Sequence, residues 1–121
     1  MFNKNKTELV KFPEGKTDEQ YVIPSTVTKI SGRAFEHCVN LKDVTIPDGI
    51  TEIGLEAFWK AGLTKVVIPS MESLQSGYTF KECNNLESVV FKNGILFLNN
   101  YTFEDCENLT SVTIPESVIS I

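Results

Sequence analysis

Leu41-Lys42-Asp43-Val44-Thr45-Ile46-Pro47-Asp48-Gly49-Ile50-Thr51-Glu52-Ile53 opens the unit whose reading decides the fold. Apolar residues stand at its first, fourth and sixth positions. The fourth and sixth alternate with polar neighbours, which is the period of a half-buried strand. Pro47 ends that strand, because proline has no N–H to give to a further ladder bond. Ile50 and Ile53, three apart, turn back inward. Glu56-Ala57-Phe58-Trp59-Lys60-Ala61 follows and sets Phe58 and Ala61 on one face, a spacing that suits a single helical or 3₁₀ turn.

The unit recurs in both directions. Ile-Pro stands at Ile23-Pro24, Ile46-Pro47, Ile68-Pro69 and Ile114-Pro115, with Phe91-Lys92 in the missing slot, at spacings of 23, 22, 23 and 23 residues. Phenylalanines keep the same step at Phe35, Phe58, Phe80 and Phe103. So do small residues at Cys38, Ala61, Cys83 and Cys106, and leucines at Leu41, Leu63, Leu86 and Leu109. Two more columns run Val27/Ile30, Ile50/Ile53, Met71/Leu74, Ile95/Leu98 and Val118/Ile121. A residue lost at Ala61-Gly62 accounts for the one 22-residue step. Asn40, Gly62, Asn85 and Asn108 precede the column leucines. Asparagine and glycine tolerate φ > 0, so this column is expected to hold a left-handed conformation.

A unit this short cannot bury its apolar face alone, and stacking on its neighbours makes the core continuous. Successive strands then pair in parallel about 4.8 Å apart. Five are expected, near residues 20–23, 43–46, 65–68, 88–91 and 111–114. They line one side of a right-handed coil, and short turns line the other.

These residues resemble the BspA-type, or Treponema-type, leucine-rich repeat, written L-x-x-V-x-I-P-x-x-I-x-x-I-x-x-x-A-F-x-x-C, over residues 18–121. The Ile-Pro after the strand and the Ala-Phe-x-x-Cys turn separate this class from other leucine-rich repeats. The departures are Phe91-Lys92 for Ile-Pro, Thr79 and Thr102 for the alanine before phenylalanine, and Ala61 for a cysteine. The resemblance implies an α/β-type leucine-rich repeat solenoid, dominated by β-structure, with a parallel sheet of about five short strands and short helical or 3₁₀ turns. It also implies a secreted or cell-surface bacterial or protozoal protein used for adhesion and protein binding.

Residues 1–17 fall outside the repeat and read as a partial hairpin from an inserted or degenerate repeat, with a polar turn at Asn3-Lys4-Asn5-Lys6. Residues 18–121 hold about four and a half repeats. A chain that opens in mid-hairpin and stops at Ile121, partway through a repeat, is expected to be a fragment of a longer array, since solenoids close with capping units. Its first residues carry no apolar signal-peptide segment.

Composition narrows the function classes. The 121 residues are one domain's worth, and 41% hydrophobic with 22% charged is ordinary globular composition. The longest apolar run, Gly94 to Leu98, is far short of the roughly 20 residues that span a bilayer. A net charge of −5 argues against nucleic acid, whose readers carry basic patches. Three cysteines cannot all pair within one chain. They share an inward column with Ala61 and read as small buried thiols, although Cys83 and Cys106 stand close enough in the stack for a disulfide. His37 shares its column with Lys60, Glu82 and Asp105, so it faces solvent, and it makes no dyad with Cys38 because adjacent turn residues point apart. No phosphate loop, nucleophile elbow, zinc spacing or calcium loop is present, so no catalytic, cofactor or metal residues are assigned.

The informative positions lie between the core columns. On the sheet side the outward residues include Val22, Asp43, Thr45, Lys65, Val67, Ser88, Val90, Ser111 and Thr113. Val22, Thr45, Val67, Val90 and Thr113 form a β-branched row, which suits strand geometry and equally a low-charge strip for protein contact. On the turn side Trp59 shares a column with Glu36, Lys81 and Glu104, so it is expected to be partly exposed. Leu96 and Phe97 stand where other repeats carry Thr51/Glu52, and are expected to face outward, as cover for a neighbouring hairpin or as a self-association patch. The leading expectation is a non-enzymatic module that binds a host matrix or cell-surface protein. A structural spacer that displays other domains is the alternative.

Overall fold

The structure is a computed structural model. It describes residues 1–69, 73–74, 77–92, 97–98 and 101–113. Among the described residues ten short strands follow one another: β1 (Glu8–Leu9), β2 (Gln20–Val22), β3 (Lys29–Ile30), β4 (Asp43–Thr45), β5 (Glu52–Ile53), β6 (Lys65–Ile68), β7 (Ser73–Leu74), β8 (Ser88–Phe91), β9 (Phe97–Leu98) and β10 (Ser111–Thr113). They wind a β-solenoid of about four turns in which every strand-to-strand ladder is parallel.

Each turn contributes two strands. The longer one, from the V-x-I segment, pairs on one side: β2 with β4, then β6 with β8 and β8 with β10. The shorter one, from the second apolar pair, builds a separate ladder, β1-β3-β5, with Leu9, Ile30 and Ile53 in register. β7 pairs with β9 in the same manner. Residues 1–17 join this stack. Phe2 bridges antiparallel to Leu9, while the Asn3 carboxamide oxygen accepts from the Thr7 and Glu8 amides at 2.9 and 3.1 Å.

The core is a spine of phenylalanine rings. Phe12, Phe35, Phe58, Phe80 and Phe103 stack at centroid separations of 5.3, 4.8, 5.2 and 5.5 Å, within 28° of parallel. Phe12 had not been placed in the column from sequence, although it precedes Phe35 by the repeat step. Around the rings lie the inward residues of both ladders, among them Ile30, Leu41, Ile50, Leu63 and Leu86, all buried.

Three expectations are corrected. The five-stranded sheet is divided into a two-stranded part and a three-stranded part, because β4 and β6 do not form a ladder. The helical turns are absent: the described residues contain no α- or 3₁₀-helix. Left-handed backbone does not occur in the column of Asn40, Asn85 and Asn108. It occurs at Arg33, Glu56 and Tyr78, and four residues later in each turn at His37, Lys60 and Glu82, with φ between 53° and 60°. Asp105 continues the second series at 59°.

The second and third corrections share a cause. Two left-handed residues four apart stop a helix from propagating. Alternate amides therefore donate to the next repeat instead, as in Arg33 N–H to Leu55 O, Phe35 N–H to Ala57 O and His37 N–H to Trp59 O at 2.7–2.9 Å. The amides between them close i→i−3 turns, such as Glu36 to Arg33 O at 3.2 Å. The asparagines serve through their side chains. Asn40 Nδ2 donates to Lys16 O at 3.1 Å and Asn108 Nδ2 to Asn84 O at 2.5 Å, each one repeat away.

Candidate protein-binding face

The missing residue decides the geometry of the sheet side. Cys38 and Leu41 are joined through two residues, as are Cys83 with Leu86 and Cys106 with Leu109, but Ala61 and Leu63 only through Gly62. The shortened link lies hard against its neighbour. A β-carbon on Gly62 would stand 2.1 Å from Val39 O, so only glycine fits. Gly62 N–H donates to Cys38 O at 3.0 Å, and Thr64 N–H to Lys42 O at 3.0 Å. Elsewhere the next amide adds a second bond: Asp43 to Glu19 O at 3.1 Å, Ser88 to Thr64 O at 3.4 Å and Ser111 to Glu87 O at 3.2 Å. β4 and β6 stay side by side, with Cα atoms within 8 Å, but do not continue pairing.

A cleft of about 310 Å³ opens there, lined by residues including Asp43, Thr45, Lys65, Val67, Pro69 and Lys92. A second hollow of about 360 Å³ marks the shortened link itself, between Val39, Gly62 and Asn84-Asn85. Lys92 takes the place of proline in its repeat. Its N–H can therefore donate to Ile68 O (3.0 Å), and its ammonium reaches Asp48 at 3.0 Å, two turns away.

The nine residues expected on the sheet side fall into two groups. Val22 stands beside Thr45 in the β2/β4 ladder, and Gln20 beside Asp43. Val67, Val90 and Thr113 form one row of the β6/β8/β10 sheet, and Lys65, Ser88 and Ser111 the other. Val22, Val67 and Val90 are 68%, 46% and 40% exposed, so the apolar row is open to solvent. The cleft lies between the two groups. The tenancy of Leu96 lies outside the described residues. Phe97 falls in β9, but where its side chain points is not among the described features.

The turn side carries the charge. Trp59 is half-buried, as expected from its column. Its Nε1–H donates to Glu82 Oε2 at 3.2 Å, and the cations of Arg33, Lys60 and Lys81 lie 5.5–5.9 Å from its ring. Desolvation pushes the Glu82 carboxyl up, but hydrogen bonds from Trp59 and Lys60 outweigh it and hold the group below its ordinary range. Tyr78 and Tyr101 stack at 5.2 Å. This aromatic row was not read from sequence, though Arg33, Glu56, Tyr78 and Tyr101 share a repeat position.

The cysteines are free. Cys83 and Cys106 each direct Sγ at the preceding repeat's phenylalanine carbonyl, Phe58 O and Phe80 O, at 3.0 Å. Cys38 does the same toward Phe12 O at 3.6 Å. Burial pushes the Cys38 and Cys106 thiols up to about 11 and the Cys83 thiol higher still, so thiolate chemistry is suppressed. Among the described residues no three of His, Cys, Asp and Glu gather as a metal site, and no helix is long and apolar enough to cross a membrane.

A stacked, ring-filled solenoid with a V-x-I-P strand defines a leucine-rich repeat array. The chain belongs to the BspA type leucine rich repeat family, whose pattern matches residues 4–121 in six copies. Solved structures agree. A leucine-rich repeat protein from Eubacterium ventriosum is 30% identical with a TM-score of 0.75, over 94% of this chain and 37% of that one. The Treponema pallidum leucine rich repeat protein is 22% identical with a TM-score of 0.69, over 95% of this chain and 67% of that one, and supports the fold. A leucine rich cell surface protein from Faecalibacterium prausnitzii is 21% identical with a TM-score of 0.58, over 85% and 34%. The chain thus spans little more than a third of the Eubacterium protein. Among curated proteins no relative matches.

Proposed function

We propose that the chain is a non-enzymatic protein-binding repeat module of a bacterial or protozoal cell-surface adhesin, secreted or surface-displayed, whose ligand is a host matrix or microbial surface protein. Leucine-rich repeat arrays are typically interaction modules without catalysis, and the family supports that coarser statement. The observation that carries the finer one is the exposure of Val22, Val67 and Val90, with Asp43 and Lys65 near them, on the two ladders either side of the cleft. Strands fix side chains in rows, so little ordering entropy is lost on association. Residues 1–17 are read as a partial hairpin from an inserted or degenerate repeat ahead of the array at 18–121.

The test is an array of immobilised matrix proteins (fibronectin, laminin, collagen and fibrinogen) probed with the parent and with Val67→Lys/Val90→Lys. Both side chains are solvent-exposed, so the variant should melt with the parent. Loss of binding in the variant supports the sheet face. Equal binding moves the contact to the turn side around Trp59. Parent binding to none favours the spacer reading.

A further inference from the structure

Several stacked charges in this solenoid pair with the neighbouring turn. Lys29 lies 3.9 and 3.7 Å from Glu8 and Glu52, Arg33 2.9 Å from Glu56, Lys60 3.4 Å from Glu82 and Lys81 3.8 Å from Glu104. Not every stacked pair does so: among the described residues Glu19 and Lys42, one turn apart, form no ion pair, and nor do Asp43 and Lys65. Asp43 and Lys65 occupy the same strand position in adjacent turns, with opposite charge. Both line the 310 Å³ cleft between β4 and β6, two strands that form no ladder with each other. Thr45 and Val67 line the same cleft, and the Lys92–Asp48 ion pair joins the β8 turn to the β4 turn across it.

The spacing constrains what fits. Regular strands set neighbouring rows about 4.8 Å apart. β4 and β6 form no ladder here, while their Cα atoms remain within 8 Å. In an extended peptide, side chains i and i+2 share a face roughly 6.7 Å apart. A peptide crossing the strands therefore sets i over Asp43 and i+2 over Lys65 without compressing either row. Charge complementarity then fixes their identity: a cation at one and a carboxylate at the other. Arginine suits the first, because its guanidinium grips a carboxylate through two N–H groups.

We propose that the cleft between β4 and β6 is the docking site for an extended protein segment bearing an Arg-x-Glu pair. The proposal rests on the sheet-face reading above and narrows it to one place and one ligand chemistry. Either backbone direction serves, since a Glu-x-Arg segment laid in reverse presents the same charges.

The experiment titrates the ¹⁵N-labelled chain with three blocked peptides that share a Thr/Gly frame and carry Arg-x-Glu, Arg-x-Arg or Glu-x-Glu. Amide shifts should gather at residues 43–46 and 65–68, and Arg-x-Glu should bind at least about twofold more tightly than either like-charged peptide, a ratio in the range of one partly exposed ion pair. Asp43→Lys should turn the preference toward Glu-x-Glu, and Lys65→Asp toward Arg-x-Arg. The unchanged dispersion of the other amides shows that each variant folds. The proposal is overturned if no cleft amide moves, if the three peptides bind alike, or if Arg-x-Arg binds best to the parent, which would be attraction to its net negative charge. Shifts confined to Val90 and Thr113, unmoved by Asp43→Lys, sink the cleft and spare the sheet face. Shifts around Trp59 alone sink both.

Discussion

The lost residue at Gly62 meets two systems in this molecule and affects them differently. The phenylalanine spine passes straight through it: Phe58 and Phe80, the pair that spans the shortened link, stack at 5.2 Å and 11°. The Cys83 thiol bridges the same step at 3.0 Å from Phe58 O. The sheet does not pass through, and β4 and β6 part after one bond. Ring stacking is tolerant in the plane and needs only a separation near 5 Å. A parallel ladder needs every N–H to meet a particular carbonyl, and a one-residue change in the path leading to a strand spoils that match. Apolar packing thus holds the array together where hydrogen bonding is interrupted.

The largest expected effect comes from breaking the spine at that step. Phe58 is fully buried, and Phe58→Ala should cost about 3–5 kcal/mol, the range for removing a large buried aromatic. With no ladder between β4 and β6 to compensate, the variant should melt in two transitions, since repeats couple only to their neighbours. Calorimetry checks this, and one unchanged transition would show that the spine is not what joins the two parts.

Next is the shortened link. Gly62→Ala drives a methyl into Val39 O, and neither atom belongs to a flexible side chain. A loss of about 1–3 kcal/mol in urea unfolding is expected, the range for overpacking. A loss smaller than that of Gly49→Ala, where a β-carbon meets nothing within 4 Å, would mean that the link is slack.

The thiol column gives the smallest effect and a pH signature. Its folded thiols titrate above the ordinary value of 9.0, Cys38 and Cys106 near 11. A raised folded pKa means that the contribution is complete below pH 9 and is lost as pH climbs toward 11, because the unfolded chain releases those protons first. Thermal melting from pH 8 to 11 should therefore fall more steeply for the parent than for Cys38→Ala/Cys106→Ala. Parallel curves would place these thiols in water.

Much of this was legible in the sequence. The columns of Ile46, Phe58 and Leu63 named the core, and strand positions 43–46 and 65–68 came within a residue, because inward apolar residues recur wherever the chain must face the stack. The outward row of Val22, Val67 and Val90 was legible for the same reason of alternation. The 22-residue step was visible too, but its consequence was not, since ladder registry depends on the path of Gly62 through space. The turn conformation was misjudged from residue type. Arg33, Glu56 and Lys60 are poor choices for φ > 0, and they are held there by the bonds that alternate amides make to the next repeat, a constraint that exists only once repeats stack.

The central claim is that one missing residue opens the sheet. Inserting an asparagine after Gly62 restores the 23-residue step and the two-residue link of the other turns. Amide hydrogen exchange at Lys65–Ile68, compared between parent and insertion variant, tests it most directly. The account predicts slower exchange in the variant as β4 and β6 complete their ladder, with each new bond contributing roughly 0.5–1.5 kcal/mol. Exchange at those amides unchanged or faster in a folded variant would contradict it.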